Sequence, residues 1–386
     1  MYTDRKLFYL CVCLLGISAI FSLSLSVYTV RFFHYEEYHF FIRQSIVVAI
    51  GVCLMWGLSQ LNPDKALKFI GFGLFFSCLI LMGAMHFLPA SFVTESGGAR
   101  RWIRLPGFSL APVEFFKIGF VYFLAWSFTR KIDEKKRTMQ EDLAILFPYI
   151  LLFLLIVYLI AVMQNDLGQV VVLAATFIMM ALFAGTSLKI FMVGVSFVLC
   201  VGTIIIINSE HRINRIKSWW VGVQDIVLSV LPESFATLRV ENADEPWQIS
   251  NSLNAINHGG LFGQGLGAGT FKLGFLSEVH TDFVIAGITE EIGLLGIFGV
   301  VGIFIAVLFR IFRISGRSEN KVYHLFTLGV GLVFSFSFII NSYGITSITP
   351  IKGIAVPFLS YGGSSVLATC IAVGMVLMIS KKAKIW

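Results

Sequence analysis

Runs of about twenty apolar residues recur along this chain, and a run of that length crosses the hydrocarbon of a bilayer as one helix. Ten can be read, at residues 7–30, 42–60, 68–89, 113–129, 147–163, 169–186, 189–208, 283–310, 323–342 and 363–380. In lipid each backbone N–H and C=O must be satisfied within its own element, so such runs fold as helices. The 386 residues are 57% hydrophobic and 13% charged, where a soluble domain carries roughly a quarter charged residues. The apolar runs extend over the whole length, which excludes a soluble domain with one anchor. The expected fold is an all-α polytopic membrane protein, a single domain over residues 1–386 with about ten transmembrane helices. A large extracytoplasmic loop, 209–282, is expected between the seventh and eighth. The first run is too long for a signal-peptide core and lacks a small-residue cleavage site, so it reads as a span that stays. The break Gln164-Asn165-Asp166-Leu167-Gly168 is too short for a full loop and is expected at membrane depth.

Ten spans put both termini on one side. Basic residues crowd the short loops of that side, among them Arg5, Lys6, Arg130, Lys131, Lys135, Lys136, Arg310 and Lys381, which marks it as cytoplasmic. The net charge of +7 is dispersed among loops; it serves membrane orientation and gives no nucleic-acid signal. The basic residues left over fall mostly in 90–112 and 209–282, where an anionic ligand is the natural explanation. All six cysteines lie in apolar runs and none forms a CxxC pair. They read as small membrane-core hydrophobes, not as disulfides or a structural zinc site.

The outer segments hold the candidate chemistry. His280-Thr281-Asp282-Phe283 ends the long polar segment just before an apolar run resumes. An acid at the mouth of a span is a functional candidate; the competing reading is a helix cap. In segment 90–112, Arg100, Arg101 and Arg104 flank Trp102. This is either an interfacial anchor or a clamp for an anionic headgroup, with Arg100 and Arg101 on phosphate oxygens. Glu114 and Lys117 lie three apart on one helical face and can neutralise each other. The stretch His211 to Trp220, with Arg212 and Arg215, reads as an amphipathic helix on the outer leaflet. The glycine-rich run Gly259 to Thr270 follows no strand and precedes no Walker lysine, so a nucleotide loop is disfavoured. Its glycines fit close backbone approach, to a ligand or within a re-entrant segment. The stretch Thr349 to Ser365, with Lys352 and Ser360, reads as non-helical chain lining a cavity or buried in protein.

Taken in order, Gly98-Ala99-Arg100-Arg101-Trp102, Gln164 to Gly168, Gly259 to Gly265, His280 to Phe283, Glu290-Glu291-Ile292-Gly293 and Pro357 to Ser365 resemble the SEDS family of polytopic peptidoglycan polymerases. The resemblance covers nearly the whole chain. Pro350-Ile351-Lys352-Gly353 and Gly98 to Trp102 look more like its division branch than its elongation branch. Two positions depart from the pattern: Asn165 stands where the family usually has Pro, and Val113 where Ser is common.

The resemblance implies glycosyl transfer on lipid II at an extracytoplasmic site, with Asp282 as general base of raised pKa. It implies substrate contacts from Arg100, Arg101, Trp102, Arg212, Arg215, His280, Lys352 and Ser360, with Glu114 and Lys117 as orienters. No cofactor is firmly implied, although a divalent cation, Mg or Mn, can share the charge of the leaving diphosphate. The implied partners are lipid II, a class B penicillin-binding protein transpeptidase and other division membrane proteins. The implied place is the bacterial cytoplasmic membrane at the septum. Two other classes compete. A lipid II flippase would use Glu114, Lys117 and Asp166, but transporters show internal repeats and a midplane site, and no convincing repeat is visible. A scaffold that recruits a transpeptidase is compatible with catalysis.

Overall fold

The structure is a computed structural model that describes residues 3–89, 92–96, 99–105, 108–132, 137–230, 232, 237, 239–240, 247–276 and 279–383. Gly98, Lys135, Lys136 and most of 231–246 in the long loop lie outside the described residues.

Every one of the ten apolar runs is helical. The helices are α1 (Arg5–Leu25), α2 (Val27–Phe32), α3 (His39–Gln60), α4 (Pro63–Ala84), α5 (Pro112–Lys131), α6 (Met139–Val157), α7 (Leu167–Phe183), α8 (Leu188–Ile207), α9 (Glu210–Val230), α10 (Trp247–Gly259), α11 (Val284–Gly316), α12 (Lys321–Ile345) and α13 (Gly363–Ser380). A π-helical segment, Tyr158–Met163, prolongs α6. Among the described residues, 8 helices are long and apolar enough to cross a membrane: α1, α3, α4, α6 with its π extension, α8, α11, α12 and α13. Helix α7 is apolar but has 17 residues. Helix α5 carries Glu114, Lys117, Arg130 and Lys131 and is buried along most of its length among α4, α7, α12 and α13. A helix enclosed by others tolerates charges that lipid would not. The chain is a polytopic helical membrane protein.

Four features depart from a plain reading of the apolar runs. The first run breaks at Ser26 into α1 and α2. Segment 90–112 forms a three-stranded antiparallel sheet, β1 (Val93–Ser96), β2 (Ala99–Leu105) and β3 (Phe108–Leu110), in that order. Val93 and Ile103 face each other across it and bury a small core against Met85. The long loop carries two helices, α9 and α10. Helix α11 is broken at Gly293, whose φ is +70°.

That break accounts for the glycine-rich run. Leu294 N and Leu295 N, which lose their helical acceptors at the kink, donate instead to Gly260 O at 2.9 Å and Leu261 O at 3.1 Å. Gln264 N and Gly265 N return bonds to Glu290 O and Glu291 O at 3.0 and 2.9 Å. A Cβ on Gly263 would come within 2.2 Å of Glu291 O, and one on Gly259 within 2.2 Å of Thr289 O. The glycines therefore permit close approach of backbone to backbone, as re-entrant chain at membrane depth requires.

The two ends of the described chain meet on one face. Asp4 accepts from Leu7 N, pairs with Arg310 at 2.5 Å, and donates its own N–H to Ser380 Oγ at 3.1 Å. Lys382 and Tyr323 both bond Asp64 nearby. Asp282, the 164–166 turn, β2 and Lys352 gather away from this face.

Candidate functional site around Asp282

Asp282 lies one residue before α11. The N-cap of that helix is Phe283, which makes no side-chain capping bond, and Asp282 stands one position before it. Its backbone is held firmly. The amide nitrogen of Asn341 donates to the Asp282 carbonyl at 2.6 Å and to the Ile354 carbonyl at 2.7 Å. Ser360 Oγ donates to the Thr281 carbonyl at 2.7 Å and accepts from Val356 N at 2.7 Å. Tyr361 N donates to the His280 carbonyl at 2.9 Å. Three consecutive residues are thus fixed to one loop. The carboxylate packs on Gly353, where a Cβ would stand 2.9 Å from Asp282 Oδ2 and φ is +58°. Glycine meets both demands. Asp282, Asn341, Lys352 and Gly353 line one small cleft.

Cations lie on this side of the molecule with the acid. Burial, then Arg215 and Arg212, hold the Lys352 amine below its usual range. Desolvation and Arg101 lower Arg215, while the Asp282 carboxylate acts the other way. These mutual influences put Arg101, Arg212, Arg215 and Lys352 in one electrostatic neighbourhood with Asp282. Arg101 donates to the carbonyls of Gln164 at 3.0 Å and Asn165 at 2.7 Å. Arg212 donates to the carbonyls of Ile205 at 3.1 Å and Ala161 at 2.7 Å. Neutral acceptors hold a guanidinium without cancelling its charge. Asp166 is 3.8 Å from Arg101, and burial raises its pKa against the opposing pull of Arg101.

Glu114 and Lys117 form an ion pair at 2.8 Å. Gln169 joins that pair to the turn, donating its side chain to Glu114 at 2.9 Å and its backbone N–H to Asp166 at 3.2 Å. A Cβ on Gly168 would stand 2.8 Å from the Lys352 carbonyl, so the start of α7 rests against the Lys352 loop. The pair is thus linked through Gln169 to the turn.

The structure redirects four expected contacts. Ser360 is 1% exposed, with its hydroxyl committed to backbone. His280 is wedged between Phe40 and Tyr361, with ring centroids at 5.2 and 5.5 Å, and burial lowers its pKa to about 4. Its ring is packed among aromatic neighbours, and burial favours its neutral form. Arg100 donates to the His86 carbonyl at 3.3 Å, because alternation along β2 sends it to the face opposite Arg101. Trp102 shares the Arg100 face. Asn341 and Gly353 were not singled out from sequence, although a lone amide inside the apolar α12 run is a visible signal. Glu290 and Glu291, quoted only as a motif, are 1% exposed and anchor the glycine-rich run. Glu290 accepts from Thr270 N at 2.6 Å and Phe271 N at 3.1 Å; Glu291 accepts from Lys272 at 2.6 Å.

Among the described residues no group of three His, Cys, Asp or Glu side chains is placed to hold a metal ion. The divalent-cation expectation finds no such donor set among the described residues.

Residues 5–385 match the cell cycle protein family of FtsW, RodA and SpoVE. The chain belongs to that family. It is 46% identical over 387 residues to the probable peptidoglycan glycosyltransferase FtsW of Helicobacter pylori, covering 100% of both. It is 34% identical over 372 residues to the protein of the same name from Trichlorobacter lovleyi, covering 96% of this chain and 90% of that one. A chain from a structure described as structural coordination of polymerization and crosslinking by a peptidoglycan synthase complex superposes with a TM-score of 0.73 at 22% identity, covering 99% and 98%. The rod shape determining protein RodA of Thermus thermophilus superposes with a TM-score of 0.66 at 21% identity, covering 100% and 98%. At such identities the superpositions establish a shared fold. The SEDS resemblance of the ordered motifs holds, and the two sequence relatives above both carry the FtsW name.

Proposed function

We propose that this chain is a division-type peptidoglycan glycosyltransferase that polymerises lipid II. The observation that carries this reading is Asp282, a carboxylate that lines a cleft with Lys352 and is electrostatically coupled to Arg215, which is in turn coupled to Arg101, Arg212 and Lys352. Glycosyl transfer from a diphosphate needs that pairing: a base for the attacking hydroxyl and positive charge for the leaving group. The GlcNAc 4-hydroxyl of one lipid-linked disaccharide attacks C1 of MurNAc in another. The bond from C1 to the diphosphate oxygen breaks, and the electron pair leaves with undecaprenyl diphosphate. The hydroxyl proton passes to the Asp282 carboxylate. One displacement inverts an α-linked C1 to a β-linkage and requires no covalent intermediate. Arg101, Arg212, Arg215 and Lys352 stabilise the charge that grows on the diphosphate.

Polymerisation of lipid II by the purified protein tests the reading, because a flippase or a scaffold makes no glycan. In that assay Arg101→Ala should raise KM about tenfold or more, the usual scale for a bond to a charged group. Lys131→Ala, at the opposite end of α5, should stay within about twofold. Equal effects of the two would mean that basic charge sets orientation alone.

The membrane is proposed to be the bacterial cytoplasmic membrane, at the division septum, with both termini cytoplasmic. The 209–282 segment and Asp282 then face outward. A cysteine at position 266, where Leu266 is 66% exposed, should react with an impermeant maleimide added to intact spheroplasts. One replacing Glu319 should react only after permeabilisation. The opposite labelling pattern would invert the topology and remove lipid II from the site. The synthase-complex relative supports a class B penicillin-binding protein transpeptidase as partner.

A further inference from the structure

The turn between α6 and α7 carries a residue that the displacement above does not use. Asn165 has φ +52°, in the left-handed region where Asn is among the few non-glycine residues that settle readily. It touches two arginines from distant parts of the chain. Its carbonyl accepts from Arg101 Nη2, on β2, at 2.7 Å. Its side-chain Oδ1 accepts from Arg212 Nη2, on α9, at 2.9 Å. The turn itself is tied down: Gln164 N donates to Leu159 O at 3.2 Å and Asp166 N to Ile160 O at 2.9 Å. Asn165 therefore has a fixed place, and it is the residue that bonds both guanidinium groups; Gln164 O also holds Arg101, and Ala161 O and Ile205 O also hold Arg212.

We infer that Asn165 is a positioning residue that holds Arg101 and Arg212 side by side as a pair matched to the two phosphoryl groups of a diphosphate. Two guanidinium groups repel each other and would separate if each were held by a different element. Here the main-chain and side-chain oxygens of one residue each accept from one of them, which ties both to the same turn. A diphosphate engages both groups; a monophosphate engages one. The inference rests on the glycosyltransferase reading. Proline at this position would remove both features, since its φ is locked near −65° and it lacks the amide oxygen.

The test compares Asn165→Gly and Asn165→Asp with the wild-type chain, using inorganic pyrophosphate and orthophosphate as competing anions. Glycine keeps the left-handed turn and removes Oδ1. Aspartate keeps the turn and the acceptor but adds negative charge between the arginines. Asn165→Gly should raise KM for lipid II about tenfold with kcat within about twofold. It should weaken pyrophosphate inhibition by a similar factor while orthophosphate inhibition stays unchanged. Asn165→Asp should weaken pyrophosphate inhibition further, at an unchanged melting temperature. If Asn165→Gly retains the wild-type preference for pyrophosphate, with or without loss of kcat or of thermal stability, Asn165 merely shapes the turn and the inference fails. Failure of the broader reading looks different: wild-type protein then binds pyrophosphate but makes no glycan, and the anion preference of the variants still decides the role of Asn165.

Discussion

Asp282→Asn should lower the rate of lipid II polymerisation by about 10²–10⁴, the usual contribution of a general base. The change removes the proton acceptor and the negative charge while keeping the shape of the side chain. The backbone bonds that place this residue come from Asn341 to its own carbonyl and from Ser360 to that of Thr281, and none depends on the side-chain charge. An amide has nearly the shape of the carboxylate and fits the same space against Gly353. The variant should therefore insert normally and melt close to wild type in detergent. The decisive measurement is initial polymerisation rate at saturating lipid II beside that melting curve. A rate near wild type would make Asp282 a structural acid, and the proposed base would have to be another group.

The second large effect lies behind the site. Lys272 is 2% exposed and donates to Glu291 at 2.6 Å, to Ser24 Oγ at 2.8 Å and to the Gly267 carbonyl at 2.8 Å. It fastens the glycine-rich run to α1 and to the short N-terminal half of α11 that follows Asp282. Removing one partner of a buried pair leaves an uncompensated charge, which costs about 3–5 kcal/mol. Lys272→Met should therefore be strongly destabilised, with a melting temperature many degrees lower. Replacing both charges leaves no orphan, so Lys272→Met with Glu291→Leu should recover much of the loss. A double variant as unstable as the single one would show that packing, not charge, holds this segment.

Some of the site was legible because the signal is local. Asp282 stands where a polar segment meets an apolar run. Arg101, Arg212 and Arg215 are basic residues in segments that orientation in the membrane does not explain. Lys352 sits in a stretch of proline and glycine between two spans. Other parts were invisible for a stated reason. Arg100 and Arg101 look equivalent in sequence, but strand alternation sends only one of them to the 164–166 turn. Ser360 looks like a ligand-binding hydroxyl until its bonds to Val356 N and the Thr281 carbonyl are seen.

The sequence by itself determined the class of fold, because the cost of unsatisfied backbone in lipid makes twenty apolar residues helical whatever surrounds them. It also determined which residues were chemically able to act, since a carboxylate among arginines is a property of residue types. Only the tertiary structure decided which of them meet. Arg101 and Arg212 reach Asn165 across 64 and 47 positions of chain, and Gly353 closes on Asp282 from a separate loop. Hydropathy and spacing carry no record of such pairings. They arise from helices packing at fixed depths, from a kink at Gly293 that admits a second backbone, and from a three-residue turn whose left-handed Asn165 brings two cations together.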